Sequence, residues 1–194
     1  MTSQAFGYGN IELCGVYLNR GRFILLAFFL PLAVIPACFA EQILLLLGQN
    51  PEVCKLADGY IKLFLPGMLC FAQFDLLKRF LAAMRITFVP MLGQIIATAI
   101  HLPLCHLLVI KHGMGIKGLG LATSITNFNL LTITMIYCHC TPDINRALSM
   151  PGKDSFRGWS EYLKVSLPST VMICAEWWAF EVLTLISGLI SVEA

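Results

Sequence analysis

Charge is what this chain has least of. Lys, Arg, Asp and Glu make up 12% of its 194 residues, the formal net charge is +2, and no basic run or interleaving of basic with aromatic residues occurs. That excludes a nucleic-acid surface built on phosphate contacts. A secretory leader is not expected either, because Met1-Thr2-Ser3-Gln4 brings neither a basic n-region nor a cleavable apolar core. The eight cysteines lack the spacing of a secreted disulfide scaffold; Cys38, Cys70, Cys105 and Cys174 fall inside apolar runs, where a thiol acts as a small hydrophobe. Cys138-His139-Cys140 has no second Cys/His cluster to complete a metal shell and reads as a helix end, so no metal or other cofactor is expected. No nucleophile–base pair stands out, and the chain is not expected to be an enzyme.

What is abundant is apolar sequence. The hydrophobic fraction is 58% and the mean hydropathy is +0.79, far from an ordinary soluble domain. The fold class expected is an all-α polytopic membrane protein. Five stretches approach or exceed the ~20 residues needed to span a bilayer: 23–47, 56–77, 86–110, 118–138 and 165–190. Pro31 and Pro36 predict a bent first span, tolerated in a membrane because neighbours can satisfy the freed carbonyls.

Alternate connections must lie on opposite sides of the membrane, and Lys and Arg are divided unequally between them. One set holds Arg20, Arg22, Lys78, Arg79, Arg85, Arg146, Lys153, Arg157 and Lys164; the other holds Lys55, Lys62, Lys111 and Lys117. The richer set is expected in the cytoplasm, which places residues 1–22, 78–86 and 139–164 there. Phe156, Trp159, Tyr162 and Leu163 alternate with Arg157, Glu161 and Lys164, which fits either an amphipathic helix on the inner surface or the wet first turns of the following helix.

The fifth stretch carries Glu176-Trp177-Trp178-Ala179-Phe180-Glu181. With Pro168 opening the helix, a rise of 1.5 Å per residue sets Glu176 about 12 Å and Glu181 about 20 Å along it, near the middle of the hydrocarbon. An ionisable side chain there costs on the order of 2.5–3.5 kcal/mol on insertion scales, so the default reading is a polar interior serving an ion or substrate. Five steps of 100° separate the two acids by about 140°, so a straight helix cannot aim both into one cavity. Trp177, Trp178 and Phe180 could hold a cation on their faces, or could pack. His101 and His106, five apart, read as hydrogen-bonded packing histidines.

The order of motifs resembles a known family. Gln4-Ala5-Phe6-Gly7-Tyr8-Gly9-Asn10, Leu13 and Gly15-Val16-Tyr17-Leu18-Asn19-Arg20 are similar to the stretch after the second helix of eukaryotic multidrug and toxic compound extrusion (MATE) transporters. Gly48-Gln49-Asn50-Pro51-Glu52-Val53 resembles that family's outer turn. Tyr60, Pro66-Gly67 and Arg79-Phe80-Leu81 resemble its fourth helix; His101 to Cys105, Leu119 to Ile125 and Leu167-Pro168-Ser169 follow in order. Glu176 through Glu181 matches its most specific element.

The resemblance implies part of a twelve-helix fold built from two six-helix bundles. On it, 1–22 is the cytoplasmic end of helix two with a loop, 23–138 holds helices three to six, 139–164 links the bundles, and 165–194 is the truncated first helix of the second bundle. It implies a secondary active efflux transporter that exchanges organic cations or other xenobiotics for protons, with Na+ as the alternative coupling ion. The site implied is Glu176 and Glu181 with Trp177, Trp178 and Phe180. Asp75 departs from the family, which more often has an uncharged polar residue there; it adds a titratable group or pairs with Lys78 and Arg79. The partners expected are the lipid bilayer, a cationic xenobiotic and the remainder of the transporter, without which the chain is expected to be inactive. A flippase for a lipid-linked sugar, from a related branch, would call for basic cavity residues; a non-functional truncated gene product is the other alternative.

Overall fold

The computed structural model describes residues 2–46, 50–148 and 159–192, which are helical almost throughout and contain no strand. The elements are α1 (Thr2–Gly7), α2 (Ile11–Phe29), α3 (Ile35–Cys38), α4 (Ala40–Leu46), α5 (Pro51–Ala83), α6 (Phe88–Cys105), α7 (Gly115–Cys140), α8 (Pro142–Ala147) and α9 (Trp159–Val192). Two compact units result, Met1–Ser155 and Phe156–Ala194. Among the described residues four helical segments are long and apolar enough to cross a membrane: Ile11–Cys38, Pro51–Ala83, Phe88–Lys111 and Gly115–Cys140. They coincide with the first four stretches expected, and the fifth forms α9. Their outer surfaces carry large apolar side chains such as Leu32 and Leu102, 71% and 70% exposed. In water that would be an association liability; against lipid it is the expected face.

Local sequence explains the helix ends. The Asn50 side chain accepts from the Glu52 N–H at 2.9 Å and Pro51 sits in the first turn, so α5 starts where Asn-Pro-Glu dictates. It stops in a reverse turn with Arg85 at φ 64°, where the Ile86 N–H reaches the Leu81 carbonyl at 2.9 Å and the Arg85 N–H the Ala82 carbonyl at 3.0 Å. The first span bends as its prolines predict. Pro31 lies in a π-helical turn, Leu30–Val34, and the helix breaks at Phe39 before α4 begins. A second π turn, His106–Lys111, follows Pro103 of α6.

Two boundaries differ from the sequence reading. The first membrane helix starts at Ile11, capped by Asn10, whose side chain accepts from the Leu13 N–H at 3.0 Å, rather than at Phe23 after a loop. Arg20 and Arg22 are therefore helical. Likewise α9 begins at Trp159, so Pro168 lies inside the helix and does not open it. Trp159 to Lys164 are its first turns, while Phe156, Arg157 and Lys153 lie outside the described residues, as do Gly48 and Gln49 of the outer turn. The reason is common to both boundaries: polar residues end hydrocarbon burial without ending backbone hydrogen bonding, and hydropathy reports only the first.

Within the first unit, α5 and α7 form the most extensive seam. A Cβ on Gly67 would lie 2.4 Å from the Ser124 Cα, and one on Gly120 would lie 2.9 Å from the Tyr60 carbonyl oxygen. Pro66 cannot donate a backbone hydrogen bond and crowds the turn before it. There the Leu63 carbonyl takes a bond from the Ser124 hydroxyl at 2.6 Å, and one turn on the Gly67 carbonyl accepts from Asn127 Nδ2 at 3.2 Å. Small residues and cross-helix hydrogen bonds are how membrane helices associate when lipid removes the hydrophobic incentive. At one end of the unit a dry core of Cys14, Leu18, Leu77, Phe80, Leu81, Cys138 and Ile144 ties α2, α5, α7 and α8 together. Residues of α1, α2, the end of α5, the end of α7 and α8 thus share one end of this unit.

Candidate cation site on the last helix

Helix α9 runs unbroken through both acids and all three aromatics. Measured from Lys164, Glu176 lies about 18 Å and Glu181 about 26 Å along the axis, still at hydrocarbon depth if Lys164 marks the interface. Glu176, Trp177, Trp178 and Phe180 are all exposed on this unit; the Glu181 side chain lies outside the described residues. Phe180 follows Glu176 by four residues and Glu181 follows Trp177 by four, so each acid shares a helix face with one aromatic, about 40° and 6 Å away. The segment therefore presents two acid–aromatic pairs centred about 100° apart, with Trp177 and Phe180 at angles between those of the two acids. A carboxylate beside a π face attracts a cation by charge and by ring quadrupole together. On the Glu176 side, one turn back, stand Met172 and Ile173, so within one turn of Glu176 that face adds no further side-chain oxygen; the nearest, on Ser169, lies two turns back.

Asp75 lies on α5, in the first unit. Its Oδ2 accepts from Arg79 Nε at 2.7 Å, and Oδ1 lies 3.2 Å from Lys78 Nζ. Lys78 Nζ also lies 5.9 Å from the centre of the Phe74 ring. The i,i+3 and i,i+4 spacings make this pairing local, and the carboxylate is occupied by two cations.

Of the two histidines expected to pack, His101 does so, whereas His106 is exposed at the start of the π turn. His101 Nδ1 is 2.9 Å from Thr126 Oγ1, and Nε2 is 3.2 Å from Cys105 Sγ. The Thr126 hydroxyl already donates to the Ala122 carbonyl at 2.8 Å, so it accepts from His101, and Cys105 donates to the other ring nitrogen. This arrangement engages both ring nitrogens between α6 and α7. Cys138 is buried and Cys140 exposed at the end of α7, where His139 Nδ1 lies 3.3 Å from Asn145 Oδ1. Arg22, counted in the sequence only as an inner-side charge, lines a cavity of about 470 Å³ between α2, α5 and α7. Its i,i+3 spacing from Asn19 was the available signal.

A helical membrane chain with a bent first span, small-residue seams and an acid–aromatic segment has the makings of a transporter bundle. The MatE family model matches residues 1–107. Protein DETOXIFICATION 17 of Arabidopsis thaliana is 33% identical over 190 residues, covering 98% of this chain and 40% of that protein. Multidrug and toxin extrusion protein 2 of Pongo abelii is 29% identical over 197 residues, covering 99% of this chain and 33% of that protein. The crystal structure of the eukaryotic MATE transporter AtDTX14 superposes with a TM-score of 0.85 at 28% identity, covering 97% of this chain and 42% of that one. This chain belongs to the MATE family. It spans about two fifths of the length of the plant relatives it matches and about a third of the animal one.

Proposed function

We propose that this chain carries the cation-binding helix and much of the first bundle of an antiporter that exports organic cations in exchange for protons. The observation that carries the reading is the two acid–aromatic pairs on α9 in a chain that belongs to the MATE family. Proton and cation compete for the Glu176 carboxylate, and competition for one group gives exchange by mass action. A proton asks for that carboxylate alone, whereas Na+ is a hard cation that wants several oxygens around it. The Glu176 face of α9 supplies Met172, Ile173 and Phe180 instead. The whole transporter, at the length of its relatives, is the unit in which this is tested. In proteoliposomes, a pH gradient is expected to drive export of a lipophilic cationic dye, and a Na+ gradient at equal pH to drive none. Dye movement that follows only the Na+ gradient overturns the coupling, and movement under neither overturns the function.

We assign residues 1–22, 78–86 and 139–164 to the cytoplasm, in a plasma or vacuolar membrane. Cys54 is fully buried and makes a poor reporter of the outer turn. Glu52→Cys and Asn145→Cys fall at exposed positions. A membrane-impermeant maleimide added to intact cells is expected to label the first and to reach the second only after permeabilisation. The opposite pattern reverses the topology.

A further inference from the structure

The cavity between α2, α5 and α7 has polar groups at one end and apolar walls at the other. Asn19, Arg22 and Gln73 supply the polar groups; Phe23, Leu69 and Leu131 supply part of the wall, around about 470 Å³. That volume is in the range of small-molecule sites. Arg22 is half-buried, and its one side-chain bond runs from Nη2 to Met135 Sδ at 3.5 Å. A thioether is a weak acceptor, and a guanidinium carries five donors in a planar fork. The contrast with the other paired cations is plain: Lys62 holds Asp58, while Lys78 and Arg79 hold Asp75. Among the described residues no carboxylate lies within ion-pair distance of Arg22. A half-buried guanidinium beside an apolar wall, bonded only to a thioether, keeps donors for the oxygens of an anion.

We propose that this cavity takes the acidic head of an amphipathic anion, a phosphate or sulfate ester on an apolar body. Arg22 is its charge partner, and the Asn19 and Gln73 amides are further donors to its oxygens. The fork geometry suits two oxygens of one tetrahedral head, and the apolar wall takes the attached body. Such a site selects against the cations expected at α9, so it is separate in chemistry from that one. Two sources offer this chemistry, a soluble organic anion and the phosphate of an anionic lipid in the inner leaflet.

The test is calorimetric titration of 1-naphthyl phosphate into the full chain held in phosphatidylcholine nanodiscs. Saturable binding is expected, with clear preference over the uncharged 1-naphthyl methyl ether. Arg22→Gln is expected to weaken it roughly ten- to hundredfold, as loss of a hydrogen-bonded charge does, and Arg22→Lys less. Leu131→Trp fills the cavity from α7 with Arg22 intact and is expected to abolish binding. Repeating the titration in discs containing phosphatidylglycerol separates the sources: competition supports the lipid head group, and unchanged affinity supports the soluble anion. Equal affinity for the phosphate and the ether in the unaltered chain, or undiminished phosphate binding by Arg22→Gln, overturns the proposal. The first comparison needs no variant, so a poorly folding substitution does not shelter it.

Discussion

Glu176→Gln, made in a transporter completed to the length of its relatives, is expected to reduce proton-driven export of a cationic dye to the background of empty vesicles. The substitution keeps the side chain's shape and a hydrogen-bonding group and removes only the charge that proton and cation contest. Membrane insertion should be unaffected, because an amide is cheaper to bury than a carboxylate. Glu181→Gln, about 140° round the helix from Glu176, is expected to slow transport less. Trp178→Ala serves as a contrast: it removes an aromatic contact worth about 0.5–2 kcal/mol if the ring holds the cation, raising the half-saturating dye concentration without moving the pH profile. A Glu176→Gln protein that inserts normally and exchanges dye for protons at an undiminished rate makes the carboxylate structural and removes the basis of the site.

Gly67→Ala is expected to be a severely damaging single-carbon change at the α5–α7 seam. The added Cβ would sit 2.4 Å from the Ser124 Cα, and that neighbour is backbone, which cannot swing away as a side chain can. Overpacking of this kind costs about 1–3 kcal/mol or more. Separating α5 from α7 also stretches the 2.6 Å bond from Ser124 to the Leu63 carbonyl, worth about 1 kcal/mol more. Ser124→Ala loses that bond alone and should cost correspondingly less. Thermal unfolding of the detergent-solubilised chain, followed by loss of the helical circular-dichroism signal, checks the order: Gly67→Ala lowest, Ser124→Ala intermediate, parent highest. A Gly67→Ala chain that melts with the parent shows that the seam relaxes freely.

The interactions legible before the structure were local ones. The Asp75 ion pairs with Lys78 and Arg79, and the interruption of the first span around Pro31 and Pro36, depend on residues within one or two turns of each other. Spacing along the chain is then nearly spacing in space. The hydrogen-bonded environment expected of His101 was right in kind, but its partner Thr126 lies 25 residues away, and nothing local names it.

Hydropathy and motif order by themselves determined that the chain is helical, that it crosses a membrane several times, and which helix carries the acids, because burial in lipid demands long apolar runs and makes each charge conspicuous. Only the tertiary structure decided that α2 begins at Ile11 and α9 at Trp159, that Gly67 lies against Ser124, and that Arg22 opens onto a cavity with Asn19 and Gln73. Helix continuity and helix contact follow from backbone hydrogen bonding and from the depth of side chains on separate segments. Neither leaves a periodic trace in a composition this uniformly apolar.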